Sequence, residues 1–441
     1  MKEIDLTKGP IAGNLWRFAL PLMAGNLLQQ CYNLTDTWVV GQYIGENALA
    51  AVGSAYSLMT FLTSLLFGMC LGCSAFFSMA RGRSDTGLLH RGVWISFVFT
   101  GTVALFFTLL ASLLVEPIMG LLNIQPQAWD DSLIYLRWIF LGLPAAYLYN
   151  YASNLLRGIG NSAAPLFFLV MSAVLNIVLD LLFVIVLKAG VRGAAAATVL
   201  SQYIAGFGIT AFVFIRCRDL LPEKRDRTWD SKTAGQIASL SVFTCLQQSV
   251  MNFGILMIQG LVNSFGVSAM AAFAVAVKID TLAYMPVQDF GNAFSTFVAQ
   301  NHGAGSGTRI KKGIRAGIIS VAAFSLTVSA VVYALAPSLM GLFVRADQLQ
   351  VIGIGTTYLR IEGAFYLGIG ILFMLYGYYR AIDLPWMSLI LTVISLGTRV
   401  GLSYAFSPRL GLEVIWWSVP IGWLLADAAG ILFGFHTFRK G

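Results

Sequence analysis

The sequence predicts an all-α polytopic membrane protein with twelve transmembrane helices in two parallel six-helix bundles. Three observations support this: an apolar composition, twelve apolar stretches of spanning length, and a repeat of half the chain. Of the 441 residues, 58% are hydrophobic and 11% are charged, whereas an average soluble domain is about 25% charged. So few charges cannot cover a water-soluble globule of this size. The composition therefore excludes a soluble enzyme, a disordered chain and a disulfide scaffold.

The twelve stretches each supply the roughly 20 apolar residues that a spanning helix needs. We number them spans 1 to 12, and they run over 14–40, 48–79, 92–115, 132–156, 164–187, 193–215, 236–262, 268–299, 314–336, 351–378, 386–406 and 412–435. The most polar connection lies at the middle of the chain. We therefore predict an N-terminal six-helix lobe over 1–215, a cytoplasmic linker over 216–235 and a C-terminal six-helix lobe over 236–441.

Lysine and arginine orient the spans. With the N-terminus in the cytoplasm, segments on that side carry 20 Lys and Arg, and the opposite loops carry four. Cytoplasmic loops of membrane proteins are enriched in these residues. We therefore predict a multi-pass protein with both termini in the cytoplasm. The net charge of +8 forms no contiguous basic face, so we expect the lipid bilayer, and not a nucleic acid, as a partner.

The two halves of the chain resemble each other. The motif YLR at 135–137 returns at 358–360, and LQQ at 28–30 returns at 246–248. Both offsets are near half the chain length. Six spans per half keep the halves in one orientation, which predicts a pseudo-twofold axis along the membrane normal. Transporters built from such parallel repeats bind their ligands between the repeats, near the middle of the membrane.

Asp180 is the strongest candidate site residue, because it lies far from either polar end of span 5. An ionisable group there costs roughly 2.5–3.5 kcal/mol on insertion scales, so its presence indicates a specific role. Asn176 lies one turn earlier on the same face, and its amide can donate to a carboxylate or accept from a carboxylic acid. Thr198 follows four alanines in span 6, which allow a neighbouring helix to approach closely. Satisfied structural hydrogen bonds are the alternative interpretation of these side chains.

Asp36 ends a polar stripe on span 1 that also includes Asn26, Asn33 and a glutamine at 29 or 30. Such a stripe cannot face lipid, so it lines a water-filled cavity or packs on polar groups. Pro21 in the same span removes a backbone hydrogen bond and favours a kink. That kink is either a hinge or a static bend.

Other acids give weaker signals. The N-terminal acids have no counterparts at the repeat offset, so we assign the acidic cluster to the N-terminal half alone. Asp289 is a candidate for the part of the cavity that the C-terminal half forms. Glu362 and Asp427 lie close to span ends, where we expect them to be solvated. No phosphate-binding loop or metal-ligand set is present, so we expect no cofactor, and an ion gradient as the energy source.

Several segments together resemble the multidrug and toxic compound extrusion (MATE) transporters, over nearly the whole chain. They are FALPLMAGNLLQQCYNLTDTWVVG at 18–41, SNLLRGIGN at 153–161, LNIVLDLLFV at 175–184, GAAAATVLSQ at 193–202 and GNAFSTFVAQNHGAG at 291–305. The resemblance to the DinF-like branch implies a cation-binding network in the N-terminal lobe. Its members here are Asp36, Tyr135, Asn154, Asn176, Asp180 and Thr198. Pro21 resembles the proline whose bending is proposed to accompany proton binding in that branch.

The NorM-like branch instead carries a sodium site with carboxylates in the C-terminal half. Span 7 of this chain has no acid, and span 10 has only Glu362 near its outer start. We therefore expect no sodium site in the C-terminal lobe. Carboxylate, amide and hydroxyl oxygens suit either H⁺ or Na⁺ in the N-terminal lobe, so both coupling ions stay open.

The resemblance implies a secondary active antiporter, not an enzyme, in the bacterial inner membrane. It would exchange H⁺ or Na⁺ for amphipathic or cationic drugs by alternating access, and we expect a monomer. The main alternative is a flippase for lipid-linked sugars from the wider superfamily, although such proteins usually have fourteen spans. A channel is a weaker alternative because it needs no buried acid pair confined to one half, and a membrane enzyme is weaker because the sequence shows no catalytic constellation.

Overall fold

The structure is a computed structural model and describes residues 3–44, 46–121, 124, 126, 129–345 and 347–440. Within helices, the side chains of 34, 36–38, 40–42, 46–57, 121 and 436–440 lie outside the description. The α-helices, in chain order, are α1 Ile11–Tyr43, α2 Glu46–Gly82, α3 Thr86–Leu113, α4 Val115–Leu121, α5 Trp129–Gly158, α6 Ala163–Asp180, α7 Gly190–Arg216, α8 Ser231–Asn263, α9 Val267–Gly303, α10 Gly307–Gly341, α11 Leu349–Gly363, α12 Tyr366–Ala381, α13 Pro385–Leu410 and α14 Glu413–Lys440.

Among the described residues, ten helices are long and apolar enough to cross a membrane, and the bent pair α11–α12 makes an eleventh candidate. The remaining predicted span corresponds to α1, a 33-residue helix that carries the polar stripe. Each predicted span therefore has a helix or a helix pair in the structure. The short α4 is an additional helix between spans 3 and 4.

Span 10 differs from the prediction because it is broken. We predicted one helix over 351–378, but α11 ends at Gly363 and α12 begins at Tyr366, with a bend of 53° between them. The amide of Phe365 donates to the carbonyl of Glu362 over 3.0 Å, which closes a tight turn at the break. Gly363, the last residue of α11, has no side chain that could obstruct this turn. The bend divides one apolar stretch into two helices, and Glu362 lies one residue before the end of the first.

Span 5 is also irregular. Its α-helix ends at Asp180 and continues as a π-helix over Leu181–Val186. The amide of Leu187 donates to the carbonyl of Leu182 over 2.9 Å, a bond five residues back along the chain. Short π-segments within helices occur frequently at functional sites. This one begins directly after the strongest candidate residue of the sequence.

The chain divides into two compact units. The first comprises Met1–Asp5 with Leu20–Cys245, and the second comprises Leu6–Ala19 with Leu246–Gly441. This division differs from the predicted lobes, since it falls inside α8 and gives residues 6–19 to the second unit. Hydrogen bonds explain the second difference. The amide of Leu6 donates to Gln300 over 3.3 Å, and Arg309 donates to the carbonyls of Leu6, Lys8 and Gly9.

The internal repeat is also present in the packing of each unit. In the first unit, a Cβ added to Gly92 on α3 would lie 2.0 Å from the ring of Phe76 on α2. In the second unit, a Cβ added to Gly313 on α10 would lie 2.1 Å from the ring of Phe297 on α9. Both pairs are separated by the same offset of 221. Each unit thus fits a phenylalanine ring into the space of a glycine at corresponding positions.

Candidate functional site

Asp180 and Asn176 lie in the interior of the first unit. Their side chains are 1% and 2% exposed, although both sit on α6, which is one of the most apolar helices of the chain. The amide nitrogen of Asn176 lies 3.4 Å from the hydroxyl oxygen of Thr198 on α7. That bond is long, and the same hydroxyl donates to the carbonyl of Ala194 over 3.2 Å. The structure therefore brings together Asn176 and Thr198, two members of the network that the resemblance implies.

Small residues make this approach of α6 and α7 possible. Ala194, Ala195 and Ala197 are at most 1% exposed, which shows that the alanine run is packed and does not face lipid. A Cβ added to Gly193 would lie 3.1 Å from the carbonyl oxygen of Phe183. Larger side chains at these positions would push α7 away from the segment that follows Asp180. Close helix packing through small residues is common in membranes.

Asn154 and Tyr135 lie on α5, which packs against both α6 and α7. They are 1% and 4% exposed. The Asn154 amide donates to the carbonyl of Asn150 over 2.9 Å. Within the described residues, Oδ1 of Asn154 and Oδ1 of Asn176 are buried without a hydrogen-bond partner. Two carbonyl oxygens in the interior of one unit therefore keep free acceptor capacity, which a bound proton donor or a cation could use.

The remaining two predicted residues lie on α1. The side chain of Asp36 is outside the described residues. Pro21 lies within α1, which is helical on both sides of it, so a hinge there stays a prediction. One turn later, a Cβ added to Gly25 would lie 3.2 Å from the side chain of Leu169. This contact shows that α1 packs closely on α6, the helix that carries Asn176 and Asp180.

The second unit corrects two expectations. We expected Glu362 and Asp427 to be solvated near span ends, but they are 1% and 6% exposed. Glu362 lies on the last turn of α11, beside the break before α12. Asp427 on α14 lies above Gly368, where an added Cβ would come within 3.8 Å of its carboxylate oxygen. The position of a residue along a span does not show whether its side chain faces the interior of the unit.

The second unit also holds a buried cluster that the sequence analysis did not identify, although neither of its acids is the repeat equivalent of Asp36 or Asp180. Asp280, Glu362 and Arg399 line one cavity of about 80 Å³ in the second unit, which is large enough for a few water molecules. The hydroxyl of Tyr366 donates to Asp280 over 2.8 Å. Oε1 of Glu362 has no hydrogen-bond partner among the described residues. Arg399 supplies a positive charge in the same cavity, so this is not a pair of bare carboxylates.

Three different helices supply these groups, α9, α11 and α13. Asp280 and Glu362 are 82 residues apart along the chain, and Glu362 and Arg399 are 37 residues apart. No local spacing in the sequence links them. The one available signal was the presence of three ionisable residues in three apolar spans of the same half.

Long apolar helices in two units, with carboxyl groups buried inside each unit, define a membrane transporter. The model of the MatE family matches residues 21–182 and 241–405, which is one segment in each half. The chain therefore belongs to the MATE family of transporters, as its sequence motifs predicted.

Curated relatives agree with this assignment. The chain is 28% identical over 434 residues to the probable multidrug resistance protein YpnP of Bacillus subtilis, covering 98% of this chain and 97% of that protein. It is 26% identical to the probable multidrug resistance protein NorM of Thermotoga maritima, covering 92% and 88%. It is 23% identical to an FAD transporter of Shewanella oneidensis, covering 70% and 69%.

Solved structures confirm the fold. An outward-facing multidrug resistance MATE family transporter of the MOP superfamily has a TM-score of 0.93, with 24% identity and coverage of 100% of this chain and 98% of that chain. A MOP superfamily transporter from Pyrococcus furiosus, whose binding pocket is described as reversed in polarity, has a TM-score of 0.92 at the same identity. The predicted all-α fold of twelve transmembrane helices in two bundles is thereby confirmed.

Proposed function

We propose that this transporter is a cation-coupled antiporter that exports amphipathic, often cationic, organic compounds across a bacterial inner membrane. The burial of Asp180 beside the Asn176–Thr198 pair carries the proposal. An ionisable group inside an apolar helix costs free energy, and such groups mark ion and substrate pathways in membrane proteins. The names of its relatives YpnP and NorM, both probable multidrug resistance proteins, support the substrate class.

The coupling follows from charge. Ionised Asp180, together with Asp36, Tyr135 and Asn154, favours a bound cation, and we assign the H⁺ or Na⁺ site to this network. Occupation by H⁺ removes the negative charge, and Na⁺ neutralises it, so either ion weakens the hold on a cationic substrate. The two ligands thereby share a coupling free energy. Alternating access with both termini in the cytoplasm then moves the cation inward and the drug outward.

The test is ethidium transport by purified protein in liposomes, first under an imposed pH gradient and then under an imposed Na⁺ gradient. Asp180→Asn keeps the shape of the side chain and removes the exchangeable charge. We expect one gradient to drive transport in the wild type and Asp180→Asn to reduce it to the level of empty liposomes. The driving gradient identifies the ion.

A matched control comes from the second unit. Glu362→Gln removes a buried carboxyl of the same size class from the other cluster. If Glu362→Gln abolishes gradient-driven transport and Asp180→Asn does not, the coupling site lies in the second unit and the assignment to Asp180 is refuted. If neither gradient moves dye through folded wild-type protein, the multidrug proposal fails, and binding of lipid-linked sugars or of FAD would identify the substrate instead.

A further inference from the structure

His90 joins the start of α3 to the segment between α7 and α8. Its Nδ1 lies 3.0 Å from a carboxylate oxygen of Asp226, and its Nε2 lies 2.7 Å from the backbone carbonyl oxygen of Asp219. The side chains of His90 and Asp226 are only 15% and 14% exposed. Both ring nitrogens are therefore engaged by groups of one and the same connection.

Neither partner can donate a proton to the ring. A backbone carbonyl oxygen is an acceptor only. Asp226 also accepts from the backbone amide of Glu223 over 3.1 Å, and its hydrogen bond from His90 lowers the pKa of Asp226, so it is ionised at neutral pH. Two acceptors require two N–H donors, and only the imidazolium form of histidine has both. With a doubly protonated ring, His90 donates both hydrogen bonds; with a neutral ring, it can donate only one of them.

Other groups fasten the same connection. Two short 3-10 turns, Arg218–Leu220 and Lys224–Asp226, contact α3, and Leu220 is completely buried. The guanidinium of Arg227 lies 5.5 Å from the ring centre of Trp94, one turn after His90. Arg91 lies 4.0 Å from Asp230. The start of α3 therefore contacts the connection through three residues, His90, Arg91 and Trp94.

The surrounding charges do not replace His90 in this role. Arg81 pairs with Glu3, and Arg225 pairs with Glu223. Asp85 caps α3 by accepting from the amide of Leu88. Charged side chains lie at this end of α3, at the ends of α2 and α5 that pack on it, and along the connection up to the start of α8. They are Arg81, Arg83, Asp85, Arg91, Arg157, Arg216, Arg218, Asp219, Glu223, Lys224, Arg225, Asp226, Arg227, Asp230 and Lys232. Among the described residues, Asp226 is the acid recorded in contact with the His90 ring.

We propose that His90 is a pH-sensitive clamp, which holds the inter-lobe connection against α3 while its ring is charged and releases it when the ring loses a proton. Deprotonation converts one N–H donor into an acceptor that then faces either a carboxylate or a carbonyl. Histidine is the side chain whose charge ordinarily changes near neutral pH. The connection therefore stays in contact with α3 at lower cytoplasmic pH and separates from it at higher pH.

Hydrogen–deuterium exchange on the full-length protein in nanodiscs tests the clamp. We follow the amides of 217–227 between pH 6 and pH 8.5, corrected for the intrinsic pH dependence of exchange. In the wild type, protection should fall roughly tenfold or more as pH rises, the effect of losing one hydrogen bond to a charged group. In His90→Gln, protection should be low at every pH. His302→Gln alters a histidine of the other unit and should keep the wild-type profile.

Ring-nitrogen NMR provides an independent measurement, because the chain has only three histidines. His302→Gln and His436→Gln assign the other two signals. At pH 6, the His90 signal should be that of a doubly protonated ring. A neutral His90 ring at pH 6 overturns the proposal. So does corrected protection of 217–227 that stays constant with pH in the wild type, or that follows the same pH profile in His90→Gln.

Discussion

The contact between α2 and α8 offers a sharp test of how tightly the first unit is packed. A Cβ added to Gly72 would lie 2.4 Å from the carbonyl oxygen of Leu240 and 2.6 Å from the Cα of Ser241. Both atoms belong to the backbone, so no side chain can rotate away. Ordinary contact begins at 3.4 Å, and the helices must therefore separate by about 1.0 Å to accept Gly72→Ala.

Such a separation has consequences beyond one methyl group. Gly68, one turn earlier, also faces the α8 backbone, with an added Cβ at 2.8 Å from the Cα of Cys245. The contact of 3.2 Å between Cys73 and Ser241 lies beside it. Overpacking of this kind costs about 1–3 kcal/mol. We expect Gly72→Ala to destabilise the protein by that amount.

The assay is the midpoint of thermal unfolding in detergent, followed by the loss of monodisperse protein. Gly260→Ala is the matched control, because Gly260 lies on α8 itself and no described residue of another element comes within 4 Å of an added Cβ there. It should be neutral or slightly stabilising, since alanine favours helix over glycine. Equal midpoints for Gly72→Ala and Gly260→Ala would refute the close approach of α2 and α8.

Three further predictions concern single contacts. Gly92→Ala should lower the unfolding midpoint through its clash with the Phe76 ring, and Phe76→Leu should partly restore it in the double variant, which a double-mutant cycle measures. Arg309→Ala removes the donor to three backbone carbonyls of residues 6–9, so limited proteolysis should cut the N-terminal segment faster than in Lys311→Ala. Hydrogen bonds from the Thr233 hydroxyl and backbone amide lower the pKa of Asp230. Because the pKa is lower in the folded protein, ionised Asp230 stabilises the start of α8 at pH values above its unfolded pKa of about 3.9. This stabilisation is lost as pH falls through the lower folded pKa. Exchange of the first α8 amides should therefore rise only below about pH 4, and Asp230→Asn should remove that dependence.

Most of the fold could be predicted from the sequence because membrane spans are encoded locally. A stretch of about 20 apolar residues must form a helix in lipid, where every backbone polar group needs an internal partner. The repeat offset near 220 was likewise visible in short motifs. The structure adds the same offset in packing, with Gly92 on Phe76 and Gly313 on Phe297.

The candidate site in the first unit was partly predictable for a similar reason. Asn176 and Asp180 lie on one helix face, so their proximity follows from helical geometry. The contact between Asn176 and Thr198 joins two helices, and the alanine run before Thr198 was the only local sign of it. The roles of Asp36, Tyr135, Asn154 and Pro21 stay predictions.

The cluster in the second unit was missed because it depends on tertiary structure alone. Asp280, Glu362 and Arg399 come from three helices, and Glu362 lies beside a bend of 53°. A hydropathy pattern records how apolar a stretch is, but a broken helix and an unbroken one can share the same pattern. The clamp at His90 has the same origin, since its two acceptors lie 129 and 136 residues further along the chain.

The sequence by itself determined the class of protein, the number of spans and the candidate acid on span 5. These follow from composition, helical periodicity and the cost of a charge in lipid, all of which act over short stretches of chain. Only the tertiary structure decided which ionisable groups share an environment and which histidine holds two acceptors. Such contacts join distant residues, and their geometry depends on helix breaks and close approaches that no local pattern specifies.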